Sequence, residues 1–315
     1  MLLDREIVFF GGKGGVGKTT LAAASALLTA ERGHRTLLVS TDPAHSTGDI
    51  LGADIGPEPH EISANLWAVE IDPAREADRY IADVKERIRD ATPPRLMDEV
   101  ERQIDIARVT PGAEESALFD RFTRLMDEAG RTYDRMVFDT APLGHTLRLM
   151  SLPELMATWM SGLIARRKKV NVLGRMWRRV AGAAAGDERS NDDPVLRTLE
   201  ERVARFRRAR GVITDPGRTA FVLVVIPERL PIAETARAAQ ALDRFGIPVG
   251  AVVLNKLLPD DAGDSFIAKR RERERGYVEE IDRTFERYPR IRVPLFEADV
   301  FGEDALRRVS EYIRG

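Results

Sequence analysis

The chain has 315 residues, with 49 basic and 51 acidic side chains, a formal net charge of −2, 43% hydrophobic residues and no cysteine. That balance supplies enough apolar material for a real core and leaves no global field to recruit nucleic acid or anionic lipid. The lack of cysteine excludes disulfides, thiolate zinc sites, iron–sulfur clusters and cysteine nucleophiles. No apolar run approaches the ~20 residues needed to span a bilayer, and acidic Asp4 and Glu6 are unlike a signal peptide, so a cytoplasmic protein is expected.

The first predicted strand is Ile7–Phe10, and an alanine- and leucine-rich helix follows from Leu21 to Ala30. Between them stands Gly-Gly-Lys-Gly-Gly-Val-Gly-Lys-Thr-Thr, residues 11–20. Strand, glycine loop and helix in that order form a P-loop, framed by Gly12, Gly17, Lys18 and Thr19. Glycines 12, 14, 15 and 17 let successive N–H groups turn onto phosphate oxygens, together with those of Val16 and Thr20. The helix starting near Lys18 aims its positive end at the same anion. Lys18 is positioned to reach the β/γ-phosphates and the Thr19 hydroxyl to ligate Mg²⁺.

A second strand, Thr36–Ser40, runs into Asp42-Pro-Ala-His-Ser. Asp42 at that strand's carboxyl end can position or deprotonate an attacking water. His45 either stabilises this loop, contacts a partner or is a turn residue. Strands are expected again at Leu66–Ile71 and Met136–Phe138. The latter leads into Asp139-Thr-Ala-Pro-Leu-Gly-His-Thr-Leu-Arg. Asp139 matches a Walker B carboxylate, holding Mg²⁺ directly or through water. Gly144 and His145 belong to a loop suited to respond to a γ-phosphate as a switch. Two further strands are predicted at Ala220–Ile226 and Val249–Leu254, with a helical pattern at Glu234–Phe245 between them. Near-continuous apolar strands alternating with helices predict an α/β fold, an open, doubly wound and mostly parallel sheet.

Two stretches, about 75–130 and about 150–211, are helical in pattern and longer than ordinary connections. They read as helical insertions in a single P-loop domain spanning residues 1–315. In the second, Leu155, Met156, Trp159, Met160 and Leu163 share a helical face, and Met176 and Trp177 belong to a further apolar turn. Such a stripe is either core packing or, because methionine is flexible and polarizable, a groove for varied apolar segments.

Lys13 adds something an ordinary P-loop does not need. The pattern Lys-Gly-Gly-x-Gly-Lys-Thr resembles the deviant Walker A loop of dimeric ATPases related to MinD, ParA and nitrogenase reductase. The resemblance implies that Lys13 reaches across to a partner's nucleotide, in a homodimer that closes face to face. The full set of segments most resembles the arsenite-pump ATPase (ArsA) and the tail-anchored-protein targeting ATPase of the guided-entry pathway. It covers nearly the whole chain through GGKGGVGKTT, STDPAHS, FDTAPLGHTLR, IPERLPIAETAR (226–237), VLNKL (253–257) and PLFEADVFG (294–302). It implies ATP as nucleotide, with Asn255 reading adenine and Pro294 lining the base pocket.

Departures from the pattern matter as well. Asp264 and Ile267 stand where targeting relatives commonly have a zinc-binding Cys-x-x-Cys, so no zinc clasp is expected. Ala233 and Ala236 replace a tyrosine and a glutamate used in receptor docking. Arsenite-binding thiolates are missing. The leading expectation is an ATP-hydrolysing homodimer that captures and hands over a hydrophobic helix or membrane-protein client, with a membrane receptor or channel as a possible partner. The alternative is an ATPase subunit driving an arsenite or anion efflux pump. A third is a ParA/MinD-like positioning ATPase, which the short C-terminus and lack of a basic face disfavour.

Overall fold

The computed structural model describes residues 2–41, 46–89, 102, 113–140, 194–259 and 265–314. Among them are strands β1 (Ile7–Gly12), β2 (Thr36–Ser40), β3 (His60–Ser63), β4 (Leu66–Glu70), β5 (Arg135–Asp139), β6 (Thr219–Val225), β7 (Val249–Leu257) and β8 (Arg290–Pro294). They form one sheet in the order β3-β4-β2-β5-β1-β6-β7-β8. Neighbours pair in parallel except β3, which runs antiparallel to β4 at the edge. This is the α/β sheet the apolar runs predict. β1 lies at its centre and is buried throughout.

The described helices are α1 (Lys18–Glu31), α2 (Ser46–Leu51), α3 (Pro73–Arg89), α4 (Ala113–Met126), α5 (Pro194–Ile213), α6 (Arg229–Arg244), α7 (Ser265–Thr284) and α8 (Gly302–Ile313). α1 is rich in alanine and leucine, which favours helix and leaves it apolar nearly all round. It is accordingly buried from Leu21 to Ala30. Its Leu21, Ala24 and Leu28 join Leu306, Val309 and Ile313 of α8 against one face of the sheet, contributed by Val8, Phe10, Leu38, Val137, Val222 and Val224. Side chains alternate along a strand, so the next residues form the opposite face. There Phe9 stacks on Phe138 and Phe221, with ring centroids 4.9 and 5.9 Å apart. α6 packs against β6 and β7.

The chain divides into two compact units. One comprises 1–73, 124–150 and 212–315 and holds the sheet; the other comprises 74–123 and 151–211. In the second unit the rings of Phe119 and Phe206 meet at 5.0 Å, Arg202 lies 4.7 Å over the Tyr80 ring, and Arg205 is 3.4 Å from Asp120. The described parts of the two long inserted stretches are thus helical, as α3, α4 and α5. Leu155, Met156, Trp159, Met160, Leu163, Met176 and Trp177 lie outside the described residues. Among the described residues no helix is long and apolar enough to cross a membrane.

Two strands were not evident in the apolar pattern, β3 and β8. Both are short and polar, His-Glu-Ile-Ser and Arg-Ile-Arg-Val-Pro, and both are sheet edges where one side needs no apolar neighbour. β1 also runs two residues beyond its apolar run, because Gly11 and Gly12 pair with Leu223 and Val224 of β6.

Candidate functional site

The sheet register sets three strand ends side by side. Phe10 of β1 and Ser40 of β2 both stand level with Asp139 of β5. Two threonines just beyond the strands lace these ends together. Thr140 donates to the Phe10 carbonyl through Oγ1 at 2.8 Å and through its N–H at 3.2 Å. Thr41 donates to the Asp139 carbonyl through its N–H at 3.0 Å and Oγ1 at 3.3 Å. The carboxyl ends of β1, β2 and β5 therefore lie side by side. Asp139 itself is fully buried there. Asp42 and His45, and likewise Gly144 and His145, lie outside the described residues.

The glycine loop follows the carboxyl end of β1, and its conformation depends on missing side chains. A Cβ on Gly12 would come within 2.6 Å of the Val224 carbonyl oxygen, and one on Gly17 within 2.3 Å of Asn255 Nδ2. Gly15 and Gly17 also adopt left-handed φ values of 79° and 94°, which glycine tolerates without penalty. Gly17 is the N-cap of α1, and no side chain caps that helix. The first turn of any α-helix presents N–H groups that lack intrahelical acceptors, here those of Lys18, Thr19 and Thr20. An anion at this point meets backbone donors and the positive end of a 14-residue helix.

The loop's carbonyls are held from the other side. Asn255 Nδ2 donates to Val16 O at 2.8 Å, Lys256 Nζ to Gly15 O at 2.8 Å, and Lys18 Nζ to Lys13 O at 3.4 Å. Lys18 is buried, 4% exposed. Lys13 is half-buried, with its Nζ 3.8 Å from Glu234 Oε1 on α6. Gly14 faces open space.

Next to the loop is a cavity of about 320 Å³ whose lining includes Gly17, Thr20, Asn255, Pro294, Phe296 and Val300. This volume lies at the small end of the range for ligand pockets, and the lining combines apolar residues with the polar Thr20, Asn255, Lys256 and Asp299. Asn255 and Pro294, 39 positions apart in sequence, converge on it from the ends of β7 and β8. The oxygen donors near the loop, Thr19 and Asp139, are the hard ligands Mg²⁺ prefers. Beyond the cavity, the Glu274 carboxylate accepts the Leu258 N–H at 2.8 Å, and burial pushes its pKa up.

The structure thus brings together Gly12 to Thr20, Asn255, Pro294 and Asp139. Sequence reading missed the partners that hold them, Thr41, Thr140, Lys256 and Glu234. It also missed Glu70, buried at the end of β4, whose Oε1 accepts the Gly48 N–H of α2 at 3.0 Å. Of these only Lys256 had a local signal, its place beside Asn255 at a strand end.

Residues 5–315 match the family of anion-transporting ATPases, ArsA ATPase. The chain belongs to that family. It is 33% identical over 308 residues to an Aquifex aeolicus protein assigned the name arsenical pump-driving ATPase 2, covering 98% of this chain and 99% of that one. It is 31% identical over 310 residues to ATPase ASNA1 homolog 1 of Paramecium tetraurelia, covering 97% and 91% respectively. A Halobacterium salinarum protein, assigned as an arsenical pump-driving ATPase, is 35% identical over 98% of this chain, which spans 43% of its length. This ArsA-family member is therefore an ATPase, cleaving ATP with water to ADP and phosphate.

Proposed function

We propose that this ArsA-family protein is a cytoplasmic, homodimeric ATP switch that captures and hands over hydrophobic cargo, such as the apolar helix of a membrane protein. The observation that carries the nucleotide part is the pairing of an uncapped α1 and its left-handed glycines with a cavity reaching Asn255 and Pro294. In this reading the N–H groups from Gly12 to Thr20 hold the phosphates, Lys18 balances the β/γ charge, and the base enters the cavity beside Asn255 and Pro294. Thr19 and Asp139 would hold Mg²⁺, directly or through water in the case of Asp139; bound there, the ion neutralises phosphate charge.

Asp42 follows β2, whose end is tied to Asp139 through Thr41. We assign it the task of orienting and deprotonating the attacking water. His45 follows β2 in sequence, Gly144 and His145 follow β5, and these residues would respond to loss of the γ-phosphate. Lys13 would reach the nucleotide of a second copy. In the structure its ammonium stands against Glu234 instead, so closure requires that contact to open.

The cargo part rests on the resemblance to the tail-anchored-protein targeting ATPases and on the apolar sequence pattern of Leu155, Met156, Trp159, Met160, Leu163, Met176 and Trp177, within the helical insertions expected at about 75–130 and 150–211. The test is size-exclusion chromatography with and without a non-hydrolysable ATP analogue, combined with binding of a labelled hydrophobic helix. A dimer that forms only with the analogue and binds the helix supports the reading. A monomer under both conditions that binds no helix rules it out.

The pump-driving names of the Aquifex and Halobacterium relatives favour a second reading, an ATPase subunit that drives anion efflux. Without cysteine this chain offers no thiolate to trivalent arsenic. Stimulation of ATP hydrolysis by arsenite would favour that reading, and an unchanged rate would count against it.

A further inference from the structure

Lys256 occupies a backbone conformation that its side chain does not favour. It sits near the end of β7 with φ 58°, in the left-handed region that non-glycine residues rarely enter. The β7–β8 register shifts between Leu254 and Leu257, around it. Strained backbone of this kind persists where surrounding contacts hold it, and it concentrates at functional sites. Here the contact is visible: Nζ donates to the Gly15 carbonyl at 2.8 Å, 241 positions away. The preceding residue, Asn255, donates to the next carbonyl, that of Val16. Two consecutive residues of β7 therefore hold two consecutive peptide groups of the glycine loop.

Peptide planarity gives this clamp a consequence. In a trans peptide the C=O of one residue and the N–H of the next point in opposite directions. Holding Gly15 C=O toward β7 turns the Val16 N–H away from β7, and holding Val16 C=O does the same to the Gly17 N–H. A Cβ built on Gly14 or Gly15 would meet nothing within 4 Å, so no close packing at these two positions fixes that orientation. Lys256 also lines the cavity beside Asn255.

We propose that Lys256 is a positioning residue of the phosphate-binding loop, fixing the Gly15 peptide so that the Val16 N–H faces the bound anion. This rests on the reading that the loop holds ATP. The effect belongs to binding rather than to bond cleavage, because the contact orients a backbone donor of the loop.

The test compares wild type with Lys256→Met, which keeps the stem and removes the donor, and with Lys256→Arg, which retains one. Measured are ATP turnover, ADP affinity, Tm without nucleotide, and peptide-level hydrogen exchange over residues 11–20. For Lys256→Met the expected result is an about tenfold rise in KM for ATP and in Kd for ADP, the scale of one charge-assisted hydrogen bond. kcat should stay within about threefold, Tm should be unchanged, and exchange in the loop should be faster; Lys256→Arg should recover at least part of the affinity. Unchanged KM and Kd in Lys256→Met would overturn the proposal. So would an affinity loss that tracks a fall in Tm without faster loop exchange, since the role would then be structural. If wild type itself neither binds nor cleaves ATP, the loop assignment has failed instead.

Discussion

Gly17 and Asn255 are packed so closely that a single methyl group would separate them. A Cβ on Gly17 would stand 2.3 Å from the Asn255 amide nitrogen, the same nitrogen that donates to Val16 O. The N-terminus of α1, the glycine loop and the end of β7 therefore share one contact. Gly17→Ala would strain φ at 94° and displace the amide together. We expect it to weaken ATP binding by at least ~100-fold, with a smaller effect on Tm, since both groups lie at the rim of the sheet and not in its core. Calorimetric titration and a thermal melt check the two halves of this prediction.

Lys13 bears on dimer closure. Its ion pair with Glu234 spans 3.8 Å between side chains that are 35% and 38% exposed, so solvent screens it and it contributes little, ~0–1 kcal/mol. Glu234→Gln should therefore shift the analogue-dependent dimer equilibrium toward closure by no more than about fivefold per subunit, about 25-fold for the dimer. Lys13→Ala, in contrast, should leave ATP binding by the monomer within about threefold while lowering turnover by ~100-fold or more. Equal losses of binding and turnover would place Lys13 in its own subunit's site.

Asp139 is fully buried, level with Phe10 and Ser40. Asp139→Asn keeps its shape and removes the charge proposed to hold Mg²⁺. Turnover should fall by ~100-fold or more, and the Mg²⁺ concentration that supports half-maximal activity should rise. An unchanged Mg²⁺ dependence would remove Asp139 from the metal site.

Away from the site, Arg35 donates to both carboxylate oxygens of Asp134, through Nη2 at 2.8 Å and Nε at 3.3 Å, and the Arg35 N–H adds a third bond at 2.9 Å. These bonds hold the Asp134 pKa down to about 2, against 3.8 for an ordinary aspartate. A depressed folded-state pKa stabilises above the unfolded value and loses that contribution as pH falls through the folded one. Asp134→Asn should lower Tm by a few degrees at neutral pH. The gap should close as pH drops from about 4 toward 2, followed by thermal melts across that range. The pair is partly exposed, and high salt should shrink the gap.

What could be read before the structure follows from how locally each feature is encoded. β1, β2, β5, β6 and β7 are buried on both faces, so each appears as an unbroken apolar run. The glycine loop is legible because its chemistry lies in ten consecutive residues. The clamp on that loop is not, because Asn255 and Lys256 reach it only once β7 lies two strands from β1. Nor is the Lys13–Glu234 contact, which depends on where α6 starts. Thr41 and Thr140 are ordinary threonines until the register brings Asp139 level with Phe10 and Ser40.

The central claim is that the glycine loop at the end of β1 holds the triphosphate. Titration of ATP with Mg²⁺ into wild type and Lys18→Met, followed by calorimetry, tests it most directly. Lys18 is buried, and its hydrogen bond to Lys13 O, at 3.4 Å, is a weak one, so the methionine keeps the stem and removes the charge. The account predicts one ATP per wild-type chain and affinity lower by ~100-fold or more in the variant, at an unchanged nucleotide-free Tm. Wild type that takes up no ATP, or a variant that binds it equally well, would contradict it.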